Sequence, residues 1–191
     1  MRIPLYPLNV QLLPGGIIPL EIIEPRYLRM IAMSQHSGFG LCLIGLTNDH
    51  GYVPVLPLGT RVEVIDFNQS SAGHLVVTVQ GKERYRLESV ELDSDGLLMA
   101  EVEMIPNWQV TELGREQAVL ADKLGEIFEE HPDFAAYYPQ PEWANACWVA
   151  QRWLEVLQIP AEEKLPLIES EDCSDALRFL MQVVQAPLPL H

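Results

Sequence analysis

The sequence predicts an α+β protein in which a β-rich region comes first and a helical region follows it. Up to about residue 105, short apolar segments alternate with polar residues at a period of two and are divided by turn residues, a pattern typical of β-strands. After Pro106, apolar residues recur at a period of about 3.6, which is typical of amphipathic helices. We therefore expect a β-rich subdomain over residues 1–108, with one helix near residues 25–34, and an α-helical subdomain over residues 109–191.

The stretch from Ile3 to Ile31 is strongly apolar but contains five prolines, which exclude a continuous helix. We interpret its apolar parts as two short strands at a sheet edge or a barrel rim. Between them, Pro14-Gly15-Gly16 predicts a chain reversal, because proline restricts one backbone dihedral and glycine can adopt positive φ. Glu24 at the N-cap and Pro25 at the first helical position then predict a helix over residues 25–34.

Further strands are predicted before residue 106. The apolar residues 39–46 indicate a strand that is buried on both faces. Residues 59–67 and 75–79 predict an antiparallel pair around a turn at residues 68–73, and Gly81-Lys82 is expected to break the second strand, which resumes over residues 84–90. A turn at residues 93–96 precedes a last strand, whose apolar face consists of Leu98, Ala100, Val102 and Met104.

Four helical segments are predicted after residue 106. Residues 111–131 carry an apolar stripe opposite a row of carboxylates and end before Pro132. Residues 141–158 have little polar surface, so we expect them to form the buried centre of a small bundle. A short helix over residues 160–169, interrupted at Pro166, and a last helix with Ser174 as its N-cap complete the region.

The formal net charge of −15 is distributed unevenly along the chain. Residues 1–90 contain seven acidic and seven basic residues, whereas residues 91–191 contain twenty acidic and five basic residues. Binding to nucleic acid requires a basic surface, so we expect no nucleic-acid partner. No apolar run approaches the length of a membrane span, so we also expect no membrane association.

The three cysteines, Cys42, Cys147 and Cys173, are far apart in the sequence and form no CxxC motif. We expect at least two of them to be small buried apolar residues in a reducing compartment. The N-terminus also lacks a basic segment followed by an apolar segment, which is the pattern of a secretory signal. These observations predict a cytoplasmic protein, and they leave its oligomeric state open.

The sequence contains no recognised motif for catalysis, metal binding or cofactor binding. Its five histidines lack zinc-ligand spacing, and it contains no GxxxxGK[ST] phosphate loop, GxGxxG fingerprint or GxSxG elbow. Acid pairs such as Glu101/Glu103 and Glu129/Glu130 have the spacing of solvated strand and helix faces. We therefore expect no catalytic residue, no cofactor and no metal.

The best candidate for a binding surface is the start of the first helix. Arg26, Tyr27 and Arg29 lie beside a proline-rich apolar segment, and this combination can contact an unstructured polypeptide through apolar burial and a few hydrogen bonds. A structural interpretation is also open. In it, Glu24 caps the helix, Tyr27 and Leu28 face the core, and Arg26 pairs with a nearby carboxylate.

Four motifs near the N-terminus resemble the LON domain, the N-terminal substrate-binding domain of Lon proteases. They are PLYPL at residues 4–8, PG at 14–15, PL at 19–20 and EPRY at 24–27. Later segments, including QGKERYRLESV at residues 80–90 and AEVE at 100–103, are similar to successive blocks of the same family, so the resemblance covers nearly the entire chain. Pro14, Gly15, Glu24 and Pro25 belong to the structural motif that carries it.

The resemblance implies a PUA-like β-pseudobarrel followed by an α-helical bundle. In full-length Lon proteases this region precedes an AAA+ ATPase domain and a Ser-Lys protease domain, to which no segment of this sequence corresponds, so we expect no enzymatic activity. We predict a non-catalytic, proteolysis-related module or adaptor that binds exposed apolar segments of unfolded or partner proteins. The alternative is an enzyme or small-molecule binder with a carboxylate-lined site in the cleft between the two subdomains.

Overall fold

The computed structural model describes residues 1–44 and 55–185, and these residues form six strands and six α-helices. The protein is therefore of the α+β class, as predicted. The chain divides into two compact units, Met1–Pro106 and Asn107–His191. The described strands all belong to the first unit, together with helix α1 (Pro25–Met33). Residues 45–46, the end of one predicted strand, lie outside the described residues.

The sheet of the first unit closes on itself. Its strands are β1 (Arg2–Leu8), β2 (Ile17–Ile22), β3 (Phe39–Ile44), β4 (Val55–Gln69), β5 (Leu75–Leu92) and β6 (Leu98–Ile105). They are hydrogen-bonded in the order β2-β5-β4-β3-β1-β6, and β6 also pairs with β5, so every strand except β2 belongs to a closed ring. Closure of this kind is the geometry expected of a β-pseudobarrel.

The two proline-containing strands occupy different positions. β2 lies at the sheet edge beside β5, as predicted, whereas β1 lies between β3 and β6 and is not an edge strand. Residues 2–5 of β1 pair with β6, and residues 5–8 pair with β3. Among the described strands, each half of β1 therefore has a partner on one side only, and that side changes at Leu5. Proline has no N–H to donate, and Pro4 and Pro7 can each point their backbone nitrogen toward the side that has no partner strand.

The turn between β1 and β2 is attached to the middle of β5. Gly15 has the predicted positive φ, at 77°. Its N–H donates to the carbonyl of Gly81, and the N–H of Gly81 donates to the carbonyl of Gly16, both at 2.9 Å. β5 continues through this point, so the predicted break at Gly81-Lys82 is wrong. Glycine is needed at position 81 because a Cβ there would lie 2.3 Å from the carbonyl oxygen of Leu13.

Apolar side chains fill the barrel in two clusters. In the first, α1 packs Tyr27, Met30 and Ile31 against residues of the surrounding strands, among them Phe39 and Val77. The second lies between β1, β5 and β6 and contains the predicted apolar face of β6, with Leu98, Ala100, Val102 and Met104. Strand β3 is buried along residues 39–43, as predicted for a strand covered on both faces.

The second unit contains the remaining helices, which are α2 (Ala118–Glu130), α3 (Pro132–Ala135), α4 (Ala146–Val156), α5 (Ala161–Glu169) and α6 (Ser174–Gln185). α2 begins later than the predicted residue 111, because the preceding segment pairs with the chain before α4. The Leu113 N–H donates to the Ala144 carbonyl, and the Ala146 N–H donates to the Thr111 carbonyl, both at 2.8 Å. These bonds hold residues 111–113 extended.

Helix α4 is the buried centre of this unit, as predicted, with nine of its eleven residues buried. It is shorter than the predicted range of 141–158, because Asn145 caps it by accepting from the N–H groups of Cys147 and Trp148. Helix α5 runs through Pro166, so the predicted interruption is wrong. Ser174 is the first residue of α6, and the carbonyl of Cys173 accepts the first helical hydrogen bond, from Leu177.

Within residues 1–44 and 55–185, no helix combines the length and the apolar character needed to cross a membrane.

Candidate functional site

Helix α1 is amphipathic, and of the residues that the sequence singled out as a binding surface, Arg29 is exposed, Arg26 is half-buried and Tyr27 is buried. Glu24 and Pro25 occupy the N-cap and the first helical position, as predicted. The Glu24 carboxylate makes no capping hydrogen bond and instead pairs with the Arg26 guanidinium at 2.7 Å. The helix therefore begins where the sequence indicates, but the proline, rather than a side-chain cap, marks its start.

Arg29 anchors α1 to the turn between β5 and β6. Its Nε donates to Oδ2 of Asp95 at 2.7 Å, and its Nη2 donates to Oδ1 of Asp95 at 2.7 Å and to Oδ2 of Asp93 at 2.8 Å. The hydrogen bonds from Arg29 lower the pKa of Asp95, and those from the Ser94 N–H and then Arg29 lower the pKa of Asp93. One guanidinium thus lies between two carboxylates, so this part of the surface is not cationic.

Arg26 makes a second connection to the same turn. Its Nη1 donates to the carbonyl of Gly96 at 3.0 Å, and its guanidinium carbon lies 4.9 Å from the centre of the Tyr27 ring. Gly96 adopts a φ of 80°, a conformation that glycine tolerates well. The two arginines therefore attach successive turns of α1 to the β5–β6 turn.

Tyr27 lies on the inward side of the helix and is only 8% exposed. Its ring packs against that of Tyr6, with 4.5 Å between the centroids, and burial raises the pKa of both phenols. The structure thus brings Arg26, Tyr27 and Arg29 together on one helix, and each of the three side chains is engaged in contacts within the β-rich unit. The motif residues Pro14 and Gly15 belong to the turn that is attached to β5.

The largest apolar side chains exposed near these residues are Ile23, Leu28 and Met33, at 58%, 45% and 48%. We call these three side chains the α1 surface. Sequence reasoning did not select them, and it allowed Leu28 to face the core. The sequence did contain a signal for which side of α1 is exposed. Tyr27, Met30 and Ile31 follow the i, i+3, i+4 spacing of a buried helix face, and Leu28 and Met33 do not belong to that face.

A groove of about 690 Å³ lies in the helical unit, between the end of α2, α3 and the end of α4. Its apolar lining residues include Ile127, Phe134, Trp153, Val156 and Leu157, and its polar ones include Glu130, His131 and Asp133. Its volume is in the range of small-molecule sites. It is open and partly acidic, and it was not identified from the sequence.

Several features bear on catalysis and metal binding. In the described part of the chain, no three His, Cys, Asp or Glu residues are close enough together to hold a metal ion. The pKa values of Glu21, Asp93, Asp95 and Asp172 are all lowered by hydrogen bonds. A carboxyl group that acts as a general acid near neutral pH needs a shift in the opposite direction.

A family model described as the ATP-dependent protease La (LON) substrate-binding domain matches residues 2–186. The chain is similar to the crystal structure of a Lon N-terminal domain protein from Xanthomonas campestris, with 28% identity and a TM-score of 0.74, over 98% of this chain and 99% of that chain. It shares its fold with the N-terminal domain of the Mycobacterium avium complex Lon protease, at 16% identity and a TM-score of 0.67, over 98% and 100% of the two chains. No curated protein matches the chain.

Proposed function

This chain belongs to the family of ATP-dependent protease La (LON) substrate-binding domains, and we propose that it is a non-catalytic module that binds exposed apolar segments of unfolded or partner proteins. The observation that carries the proposal is the α1 surface, where Ile23, Leu28 and Met33 are exposed on and beside one helix. Each of these exposed side chains offers apolar area that a partner can bury.

The chemistry of this surface suits a partner without a fixed structure. Leucine and isoleucine bury apolar area non-specifically, and the flexible methionine adapts to irregular partner shapes. The segment that presents them is held in place, because Arg26 and Arg29 attach α1 to the β5–β6 turn. A rigid helix loses little conformational entropy on binding, which favours affinity from a small contact area.

In this proposal the two arginines position the helix, and the apolar side chains make most of the contact. The charge of Arg29 is balanced by Asp93 and Asp95, and that of Arg26 is balanced by Glu24. The partner segment is therefore expected to be apolar rather than acidic. This differs from the interpretation in which the arginines themselves contact the polypeptide.

The test is a fluorescence-anisotropy titration of a labelled, permanently unfolded polypeptide with the wild-type protein and with Leu28→Ser/Met33→Ser. We expect saturable binding by the wild type and at least about tenfold weaker binding by the double variant, because two apolar contacts are lost. Val110→Ser is the matched control, since Val110 is 80% exposed and lies in the other unit. It should leave the affinity unchanged.

Equal weakening by Val110→Ser would contradict a specific role for the α1 surface, and an absence of binding by the wild type would contradict the function itself. If the double variant binds as well as the wild type, polypeptide binding is retained but the α1 surface is not the site. The groove beside Trp153 would then be the next surface to vary, because part of its lining is apolar and its volume fits a large side chain.

A further inference from the structure

Two cysteines that are far apart in the sequence lie side by side in the helical unit. Cys147 is in the first turn of α4, and Cys173 directly precedes α6. Their Sγ atoms are 3.2 Å apart, and the residues are 4% and 3% exposed. The Sγ of Cys147 also lies 3.0 Å from the carbonyl oxygen of Gln109, to which the thiol donates.

A disulfide bond needs the two sulfurs to approach to about 2.05 Å, so a movement of about 1 Å would close this pair. The chain can supply this movement at Cys173, because residues 170–173 connect α5 to α6 and are not part of either helix. We propose that Cys147 and Cys173 form an intramolecular disulfide on two-electron oxidation by a peroxide or by a small-molecule disulfide, linking the start of α4 to the start of α6.

The chemistry balances with either oxidant. With hydrogen peroxide, one cysteine sulfur attacks an oxygen and becomes a sulfenic acid as the O–O bond breaks and one water leaves. The second sulfur then attacks the sulfenic sulfur and displaces a second water. Two thiols and one peroxide thus give one disulfide and two waters. With a small-molecule disulfide, exchange proceeds through a mixed disulfide and releases two small thiols.

The environment makes this reaction slow near neutral pH. Burial, and then the hydrogen bond with Cys147, raises the pKa of Cys173 to about 12. The reactive thiolate is therefore scarce at Cys173, and large reagents reach the pair only when the unit opens. We expect the rate of oxidation to rise with pH and the product to persist once it has formed.

Cys42 serves as an internal control. It is buried in the β-rich unit, where it is the sole cysteine of the sequence up to residue 106, and burial raises its pKa to about 12. Oxidation of the Cys147/Cys173 pair should therefore leave one thiol per chain.

The experiment incubates the full chain with hydrogen peroxide or with oxidised glutathione at pH about 8. The protein is then denatured and alkylated, and its intact mass and peptide map are recorded. We expect the loss of two hydrogen atoms, one alkylated cysteine at position 42, a cross-linked peptide pair containing Cys147 and Cys173, and full reversal by dithiothreitol. Cys42→Ser should give the same cross-link, whereas Cys147→Ser and Cys173→Ser should not.

Thermal unfolding gives a second measurement, which needs no cysteine variant. The disulfide closes a loop that contains α5 and so constrains the unfolded chain. We expect the oxidised wild type to unfold at a Tm higher by about 5 °C than the reduced protein. The proposal is overturned if three thiols remain alkylatable under conditions that oxidise the same chain in urea, or if the cross-link joins two chains rather than one.

Discussion

The Arg29 guanidinium binds the Asp95 carboxylate through two parallel hydrogen bonds of 2.7 Å, although 66 residues separate the two side chains in the sequence. This pair joins the first helix to the turn that precedes the last strand of the barrel. It thereby fixes the orientation of the α1 surface.

We expect Arg29→Ala to lower the midpoint of urea unfolding at neutral pH, and to lower it less at high salt, because the ion pair is exposed and therefore screened. Arg178→Ala is the matched control, since Arg178 pairs with Asp175 within α6 at 2.6 Å and connects no separate elements. An Arg29→Ala effect no larger than that of the control would contradict the anchoring role.

The same contact predicts a pH dependence of stability. The pKa values of Asp93 and Asp95 are lowered in the folded protein. Their contribution to stability is therefore present above the unfolded pKa of about 3.9 and is lost as pH falls through the lower folded values. Urea unfolding between pH about 6 and pH about 2.5 should show that the wild type loses stability as the pH falls and that Arg29→Ala loses less. If the stability of the two proteins falls equally with pH, the pH dependence does not come from the contacts of Arg29 with Asp93 and Asp95.

Gly81→Ala should destabilise the protein by about 3 kcal/mol, because the added Cβ would meet the carbonyl oxygen of Leu13 at 2.3 Å and push the β1–β2 turn away from β5. Gly125→Ala is the opposite case. Gly125 lies inside α2, and apart from its chain neighbours and the backbone of its own helix no atom of the described residues lies within 4 Å of the added Cβ, so we expect stabilisation of about 0.5–1 kcal/mol. Urea unfolding of both variants checks the signs, and a neutral Gly81→Ala would disprove the close-packing argument.

Arg152 and Glu155 form a buried ion pair in α4. The Nε and Nη2 of Arg152 donate to the two carboxylate oxygens of Glu155 at 2.7 and 2.8 Å, and the guanidinium lies near the rings of Tyr138 and Trp148. Glu155→Leu leaves the buried cation without its carboxylate, so we expect a loss of about 3–5 kcal/mol. Arg152→Met/Glu155→Leu removes both charges and should lose less stability than Glu155→Leu. A double variant less stable than Glu155→Leu would show that Arg152 contributes mainly by packing.

Polypeptide binding through the α1 surface should depend weakly on salt. Because Glu24, Asp93 and Asp95 balance the two arginines, we expect the Kd to change by less than about threefold between about 50 and about 500 mM salt. The anisotropy titration at several salt concentrations checks this. A steep loss of affinity with salt would indicate that Arg26 and Arg29 contact the polypeptide directly.

Local patterns identified most elements of this protein. The change of apolar period near residue 106 separates the strands from the bundle helices, and Pro25 after Glu24 marks the start of α1. These features depend on a few neighbouring residues, as do the turns at Gly15 and Gly96 with their positive φ. The wrong predictions concern residues whose conformation depends on hydrogen bonds to distant parts of the chain. The strand break predicted at Gly81 and the helix predicted at residues 111–113 are both wrong, because these residues form hydrogen bonds with partners elsewhere in the sequence.

The candidate surface proposed from the structure differs in part from the one that the sequence predicts. The sequence and the structure both lead to α1 as the candidate helix, but the sequence selected Arg26, Tyr27 and Arg29, whose side chains make contacts within the β-rich unit, and it did not select the exposed Leu28 and Met33. Which side of a short helix faces the core depends on how the helix packs on the sheet.

The sequence by itself thus determined the fold class, the family resemblance and the position of the first helix, because periodicity, proline and glycine act through local backbone geometry. Only the tertiary structure decided that β6 closes the barrel, that Arg29 binds Asp93 and Asp95, and that Cys147 lies 3.2 Å from Cys173. These contacts join residues separated by tens of positions, and they form because chain topology and core packing bring those positions together.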